Sequence, residues 1–210
     1  MPNYCSNVMI ITSPDKALVE RAANAYGKGS LLNEFVPVPQ EMIDNNTATS
    51  ASDAVTQSLK EVFLEKYGFE SWYDFCNEKW GTKWDICDSD GHAEVTACHD
   101  EGETPLFRTD LRFNTAWSPP FTWCETFLKD FPDCTVQLYY YEPGMCFAGM
   151  WENGKHSHFD DIVFTEEGLA KLPAELVDMF DMWEDIEDCE EELDDEPDDS
   201  EKPEESGDRA

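Results

Sequence analysis

Basic residues are scarce in this chain. Of its 210 residues only 14 are Lys or Arg, against 47 Asp or Glu, a formal net charge of −33 at pH 7. A surplus of that size disfavours direct contact with nucleic acid or an anionic lipid surface. Also missing is any apolar run of about 18 residues, so no membrane span is expected. The opening Met1-Pro2-Asn3-Tyr4-Cys5-Ser6-Asn7 lacks the basic start and long apolar stretch of a secretory leader. No CxxC pair, HExxH, glycine-rich phosphate loop or basic patch with interleaved aromatics occurs. Core-forming material is present: 40% of the residues are hydrophobic and 13% aromatic, which excludes a wholly disordered chain.

The eight cysteines, Cys5, Cys76, Cys87, Cys98, Cys124, Cys134, Cys146 and Cys189, stand roughly ten residues or more apart. Zinc ribbons and iron–sulfur sites need closer pairs, so the spacing predicts reduced, mostly buried thiols in a cytoplasm. Cys87, His92, Cys98 and His99 form the one cluster with ligand chemistry, and their gaps fit no common site. Neither a metal nor a cofactor is expected.

The charge is divided almost evenly. Residues 1–174 carry 28 acids and 12 bases, and the remainder 19 acids and two bases. Asp181 to Asp208 alone holds 17 acids and one Lys. As a flexible coil that stretch spans roughly 30 Å, about one charge per 2 Å, near the roughly 1.7 Å per charge of duplex DNA. Such a run reads as a disordered tail that either keeps the protein dissolved or imitates a phosphate backbone.

Cys5 to Thr12 reads as a buried strand around Val8-Met9-Ile10-Ile11. A helix follows to Tyr26, with Ser13 as N-cap and Pro14 in its first turn. Phe35 to Pro39 is extended, because its two prolines suit neither a helix interior nor a central strand. Ser52 to Lys66 is a helix with Val55, Leu59, Val62 and Phe63 inward. Another opens at Ser71 with a capping-box pattern and ends near Gly81. Period-two segments at Lys83–Asp88, Glu94–Cys98 and Leu106–Trp117 predict strands, with Gly91 and Gly102 at turns. Phe121 to Phe131 is helical. Val136–Tyr141 and Met145–Trp151 form a hairpin, and Asn153-Gly154 turns the chain into Lys155–Asp161. Glu166 to Ile186 reads as one amphipathic helix that Pro173 either starts or kinks. This order is α+β with an antiparallel sheet.

Several phrases carry a resemblance: the opening MPNYCSN, Tyr67-Gly68, Trp72-Tyr73-Asp74-Phe75-Cys76, Trp80-Gly81-Thr82-Lys83-Trp84-Asp85, Phe113-Asn114-Thr115-Ala116-Trp117-Ser118-Pro119-Pro120 and Tyr141-Glu142-Pro143-Gly144. Together, over about residues 1–160, they resemble the YubB-type family of phage- and plasmid-encoded proteins. The resemblance implies a ferredoxin-like βαββαβ fold without an iron–sulfur cluster, a mobile-element origin, a host-cytoplasmic location and an accessory role. It supplies no catalytic residue. Tyr4 and Phe75 stand where that family more often shows Trp. The expected organisation is a ferredoxin-like domain over 1–165 with β-hairpin extensions and a helical insertion at about 51–80. An amphipathic helix over 166–187 and a disordered acidic tail over 188–210 complete it.

Three groups of residues are candidates for function. Trp80, Lys83, Trp84, Asp85, Thr115, Trp117 and Ser118 either converge on a ligand surface or build an aromatic core with Lys83 paired to an Asp. His156 and His158 alternate on one strand and face one side, with Asp160 or Asp161 nearby. Two ligands from one strand are not a metal site, and the segment reads as a surface strand. At the C-terminal end Leu176, Met179, Phe180 and Trp183 form an apolar stripe beside Asp178, Asp181, Glu184 and Asp185. With Glu187, Asp188, Glu190, Glu191 and Glu192 this end is the candidate partner surface.

These features favour a non-enzymatic accessory protein that binds a basic, nucleic-acid-handling host protein, as a nucleic-acid mimic in anti-defence. The alternatives are a small-ligand binder or enzyme using the Trp80–Asp85 and Thr115–Ser118 region, or an assembly protein with a solubilising tail.

Overall fold

A computed structural model describes residues 3–48, 54–98, 105–184 and 186. The expected disordered tail over 188–210 lies outside the described residues, as do Asp185, Glu187, His99, Gly102 and Ser52. The chain divides into two units, Met1–Ile162 and Val163–Ala210.

In the first unit the apolar run at Val8–Ile11 lies in a ten-residue strand, β1 (Tyr4–Ser13). It pairs antiparallel on one side with β3 (Leu106–Ala116) and on the other with β4 (Thr135–Glu142). A short β2 (Thr96–Cys98) pairs with β3, and β5 (Phe147–Glu152) and β6 (Lys155–Phe159) extend the sheet beyond β4. The order is β2-β3-β1-β4-β5-β6, antiparallel throughout. Helices join β1 to β2, and α6 (Phe121–Asp130) joins β3 to β4. The chain thus follows the expected βαββαβ path of a ferredoxin-like fold, with β5 and β6 as the hairpin extension. Asn153 and Gly154, with φ of 46° and 89°, make the tight turn between those two strands.

Alternation assigns Cys5, Asn7, Met9 and Ile11 of β1 to one face of the sheet. Met9 and Ile11 join Leu111, Val136 and Leu138 in a core completed by Leu18, Ala22 and Tyr26 of α1 (Lys16–Tyr26) and by Trp123 and Phe127 of α6. Val8, Ile10, Tyr139 and Tyr141 on the opposite face are buried as well.

Between β1 and β2 the structure departs from the sequence reading in several places. Ser13 is not the cap of α1, because it is still paired in β1 with Phe107. Asp15 caps it instead: its carboxylate accepts from the amides of Ala17 (2.9 Å) and Leu18 (3.4 Å). The extended Val36–Pro39 is flanked by two short helices, α2 (Leu31–Phe35) and α3 (Gln40–Asn45). Neither is long enough to show helical periodicity. In α4 (Ala54–Tyr67) Phe63 is buried and Leu59 packs against the core, whereas Val55 and Val62 are 70% and 50% exposed. One row of that helix meets the core, not two. In α5 (Trp72–Lys79) the Ser71 hydroxyl accepts from the Asp74 amide, as the capping-box pattern predicts, and itself donates to the Asp74 carboxylate, a bond that pattern assigns to the Ser71 amide.

Lys83–Asp88 is not a strand. Its one sheet-like contact is a bridge between Cys87 and Asn114. The preceding residues are turned aside by the side-chain anchors described below.

The second unit is described to residue 186 except for Asp185. The single helix expected over 166–186 is two short ones, α7 (Glu166–Leu169) and α8 (Ala174–Met179). Pro173, which lacks an amide proton, sits at the N-cap of α8 and separates them. The Thr165 hydroxyl caps α7 by accepting from the Gly168 amide. Asp181 has φ of 50°, so the chain leaves the helical path before Trp183.

Candidate functional site

The two most specific phrases of the sequence do meet. The Thr82 hydroxyl donates to the Ala116 carbonyl and accepts from the Ala116 amide, both at 3.1 Å. Ser118 Oγ donates to the Gly81 carbonyl at 2.5 Å. Thr115 Oγ1 donates to the Ser118 carbonyl at 2.8 Å and accepts from Asn7 Nδ2 at 2.9 Å. These bonds clasp the end of β3 to the segment after α5. Thr115 is fully buried and Ser118 half-buried, and the hydroxyls of both are engaged in the clasp.

Trp80 and Asp85 reach back to α2. Asp85 Oδ1 accepts from the amides of Leu32 (2.8 Å) and Ile86 (2.9 Å), and Oδ2 accepts from Asn33 (2.9 Å). The carboxylate therefore satisfies amides that a short helix leaves unpaired at its start. Burial raises its pKa, and the three amides pull the other way. Trp80 Nε1 donates to the Val36 carbonyl at 2.9 Å, just past the end of the same helix. Trp123 Nε1 donates to the Leu32 carbonyl at 3.0 Å. The core reading thus holds for Trp80, and Asp85 pairs with amides instead of Lys83.

Lys83 has aromatic company. Its Nζ lies 4.8 Å from the ring centre of Trp84, 5.2 Å from that of Trp117 and 5.9 Å from that of Tyr73. Trp117 is 43% exposed and adopts φ of 66° while its amide donates to the Asn3 carbonyl. Next to this patch lies a cleft of about 490 Å³, walled by Trp72, Trp80, Trp84, Val38 and Ile43, with Asp85 among its few polar residues. Cys76 also lines it, and burial pushes its thiol up to about 12.

A second constellation forms on β4 to β6. Tyr140, Gly149 and His158 lie in one register row across the three strands. The Tyr140 hydroxyl is 2.6 Å from His156 Nε2 and 2.6 Å from His158 Nδ1. His158 Nε2 is 2.7 Å from Asp160 Oδ1. An ionised carboxylate only accepts, so His158 Nε2 carries a proton there. In the tautomer that carries its one proton on Nε2, Nδ1 accepts from the phenol, whose oxygen then accepts from His156 Nε2. Tyr140 is fully buried, and Phe121 packs edge-on to it with ring centres 5.2 Å apart. Burial, with Cys5 and Asp160 adding to it, raises the phenol pKa, and burial beside His158 lowers that of His156. The sequence brought His156, His158 and Asp160 together and missed Tyr140. The available signal was Gly149, since a glycine inside a strand marks a close approach.

The C-terminal stripe is not continuous. Leu176 is fully buried, Phe180 half-buried and Trp183 45% exposed, with the left-handed Asp181 between the last two. Asp181 and Glu184 are exposed. Asp185, Glu187, Asp188, Glu190, Glu191 and Glu192 lie outside the described residues.

Residues 79–198 match the family model described as a ferredoxin-like domain in Api92-like protein. The chain is also similar to a crystal structure of protein Api92 from Yersinia pseudotuberculosis. That alignment covers 76% of this chain and 98% of that one, at 12% identity and a TM-score of 0.32. No curated protein matches the chain.

Proposed function

We propose, from the premise that this chain belongs to the family of Api92-like proteins with a ferredoxin-like domain, that the sheet serves as a carrier of negative charge for a basic partner. The partner is a nucleic-acid-handling protein of the host, and the carboxylates stand in for phosphates. The observation that carries this reading is that the charge is not confined to the tail: residues 1–162 alone hold 26 acids against 11 bases. Several of the few cations in that unit are already paired. Lys16 meets Glu20, Arg21 meets Glu34, Lys66 meets Glu41 and Arg108 meets Asp110, at 2.6–2.8 Å. Such pairs cancel within the protein and leave the remaining carboxylates as the field a partner meets. A field of one sign accelerates encounter with an opposite charge and rejects like-charged competitors. A YubB-type mobile-element origin, a host-cytoplasmic setting and an anti-defence role belong to the same proposal.

The test is capture from host extract at low and moderate salt, with the retained proteins identified and challenged with duplex DNA. Retention of basic nucleic-acid-binding proteins that duplex DNA displaces is the expected result. If none is retained, or if a variant with half its carboxylates changed to Asn and Gln captures the same proteins, the proposal fails.

A second reading, small-ligand binding, is favoured by the tryptophan-walled cleft, whose volume and largely apolar walls suit a compact organic molecule. Under it, Trp84→Ala abolishes function in a folded protein while deletion of 188–210 has no effect. Charge capture predicts the reverse order of sensitivity.

A further inference from the structure

We propose that Tyr140, His156 and His158 form a binding site for one divalent transition-metal ion of borderline softness, Zn²⁺ or Cu²⁺. Three donor atoms from two strands converge there, with the phenol oxygen 2.6 Å from a nitrogen of each imidazole. Among the described residues no three His, Cys, Asp or Glu side chains gather to hold a metal, and the set proposed here counts the phenol as its third donor. Imidazole nitrogens suit Zn²⁺ and Cu²⁺, whereas Mg²⁺ and Ca²⁺ prefer sets made wholly of oxygen.

The surroundings are those of a metal site. The far nitrogen of His158 bonds to the Asp160 carboxylate, the arrangement that fixes the tautomer and orientation of metal-bound histidines. It leaves the Nδ1 lone pair aimed at the phenol oxygen. Gly149 lets the phenol oxygen lie close against β5 and within reach of both imidazoles: a Cβ there would stand 2.2 Å from Tyr140 Oη. Both imidazoles are exposed, so an ion has a path in and water completes its shell.

Binding exchanges a proton for the ion. The metal takes the place of the phenol hydrogen, which leaves to solvent, and of the Nε2 hydrogen of His156, which passes through water to Nδ1 of the same ring, so both imidazoles bind as neutral ligands. At bond lengths of about 2.0–2.1 Å, donors stand about 2.9 Å apart at the right angles of a tetragonal Cu²⁺ site and about 3.3 Å apart in a tetrahedral Zn²⁺ site, so each 2.6 Å contact widens by about 0.3–0.7 Å.

The experiment titrates the full chain with Co²⁺, whose visible spectrum separates nitrogen and oxygen ligands from thiolate, and then displaces it with Zn²⁺. Excess Mg²⁺ occupies the surface carboxylates, and exposed thiols are alkylated beforehand. One equivalent binds with an N/O-type spectrum. The double variant His156→Ala, His158→Ala loses it. Tyr140→Phe weakens binding at least tenfold while its near-ultraviolet circular dichroism stays native, and Asp160→Asn weakens it about 10- to 100-fold. Undiminished binding by the double histidine variant or by Tyr140→Phe, or a thiolate charge-transfer band, overturns the proposal.

Discussion

Asp85 and Leu32 are 53 residues apart in sequence, and their Oδ1 and amide nitrogen are 2.8 Å apart in the fold. With Asn33 and Ile86 also donating to the same carboxylate, one side chain fastens the segment after α5 to the start of α2. Asp85→Ala leaves three amides without their acceptor. Hydrogen bonds to a charged group are worth about 1.5–3 kcal/mol each at most, and water takes over part of the loss. The expected cost is about 2–3 kcal/mol, read as a lowered urea midpoint at unchanged slope. Asp85→Asn, which keeps one accepting oxygen, costs about half as much.

The same group gives stability a pH dependence of unusual sign. Burial raises the folded pKa of Asp85 above its ordinary 3.8, so the folded chain holds this proton more tightly than the unfolded chain does. From about pH 4 upward, through the raised value, the contribution of Asp85 to stability therefore falls as pH rises. Urea midpoints of wild type and Asp85→Asn, compared between pH 4.5 and 7, check this. Their difference shrinks with rising pH, and a difference that grows removes the desolvation account.

How much of this was legible in the sequence depended on how local the signal was. β1 declared itself by four successive apolar residues, and the β5–β6 turn by Asn153-Gly154. The meeting of Gly81-Thr82 with Ala116 and Ser118 was suggested only by the size of the sheet, in which one phrase was expected to open a strand and the other to close one, since nothing local links residues that far apart. The partners of Trp80 and Asp85 were hidden for the same reason. Their targets belong to α2, a helix of five residues that carries no periodicity to read. Tyr140 was concealed among Tyr139 and Tyr141, and only its register opposite Gly149 singles it out.

Gly149→Ala tests that register. The added methyl would stand 2.2 Å from the Tyr140 hydroxyl oxygen and 2.4 Å from the Ser157 carbonyl. A buried ring on one side and strand backbone on the other give it little room, so overpacking costs about 1–3 kcal/mol. Thermal unfolding reads the cost. The imidazole signals of His156 and His158 shift in NMR spectra, because the phenol between them is displaced. A variant as stable as wild type with unmoved histidine signals contradicts the close packing.

Thiol reactivity follows from the same burial logic. Cys76 is pushed up to about 12, so at pH 8 only about one molecule in 10,000 carries its thiolate. Cys5 and Cys124 are raised further by desolvation and are fully buried. Cys98 and Cys146 are half-buried. Brief alkylation of the native protein at pH 8, mapped by peptide mass, therefore labels Cys98 and Cys146 and spares Cys5, Cys76 and Cys124. Early labelling of Cys76 would mean that its cleft opens far enough to hydrate the thiol.

Leu176 and Trp183 separate a packed helix from a docking stripe. If α8 continued through Trp183, as the spacing of Leu176, Met179, Phe180 and Trp183 suggests, both would share one environment. They do not: Leu176 is fully buried, whereas Trp183 is 45% exposed beyond the left-handed Asp181. Leu176→Ala removes buried methyl groups and leaves a cavity, at about 2–5 kcal/mol. Trp183→Ala costs about 1 kcal/mol or less, since much of its ring already meets water. Chemical denaturation of the two variants side by side checks the ordering. Should Trp183→Ala prove as damaging as Leu176→Ala, the chain between them runs helically and the break at Asp181 is not a feature of the protein in solution. Should it instead leave stability intact and weaken partner capture, Trp183 is the apolar anchor of an otherwise acidic contact.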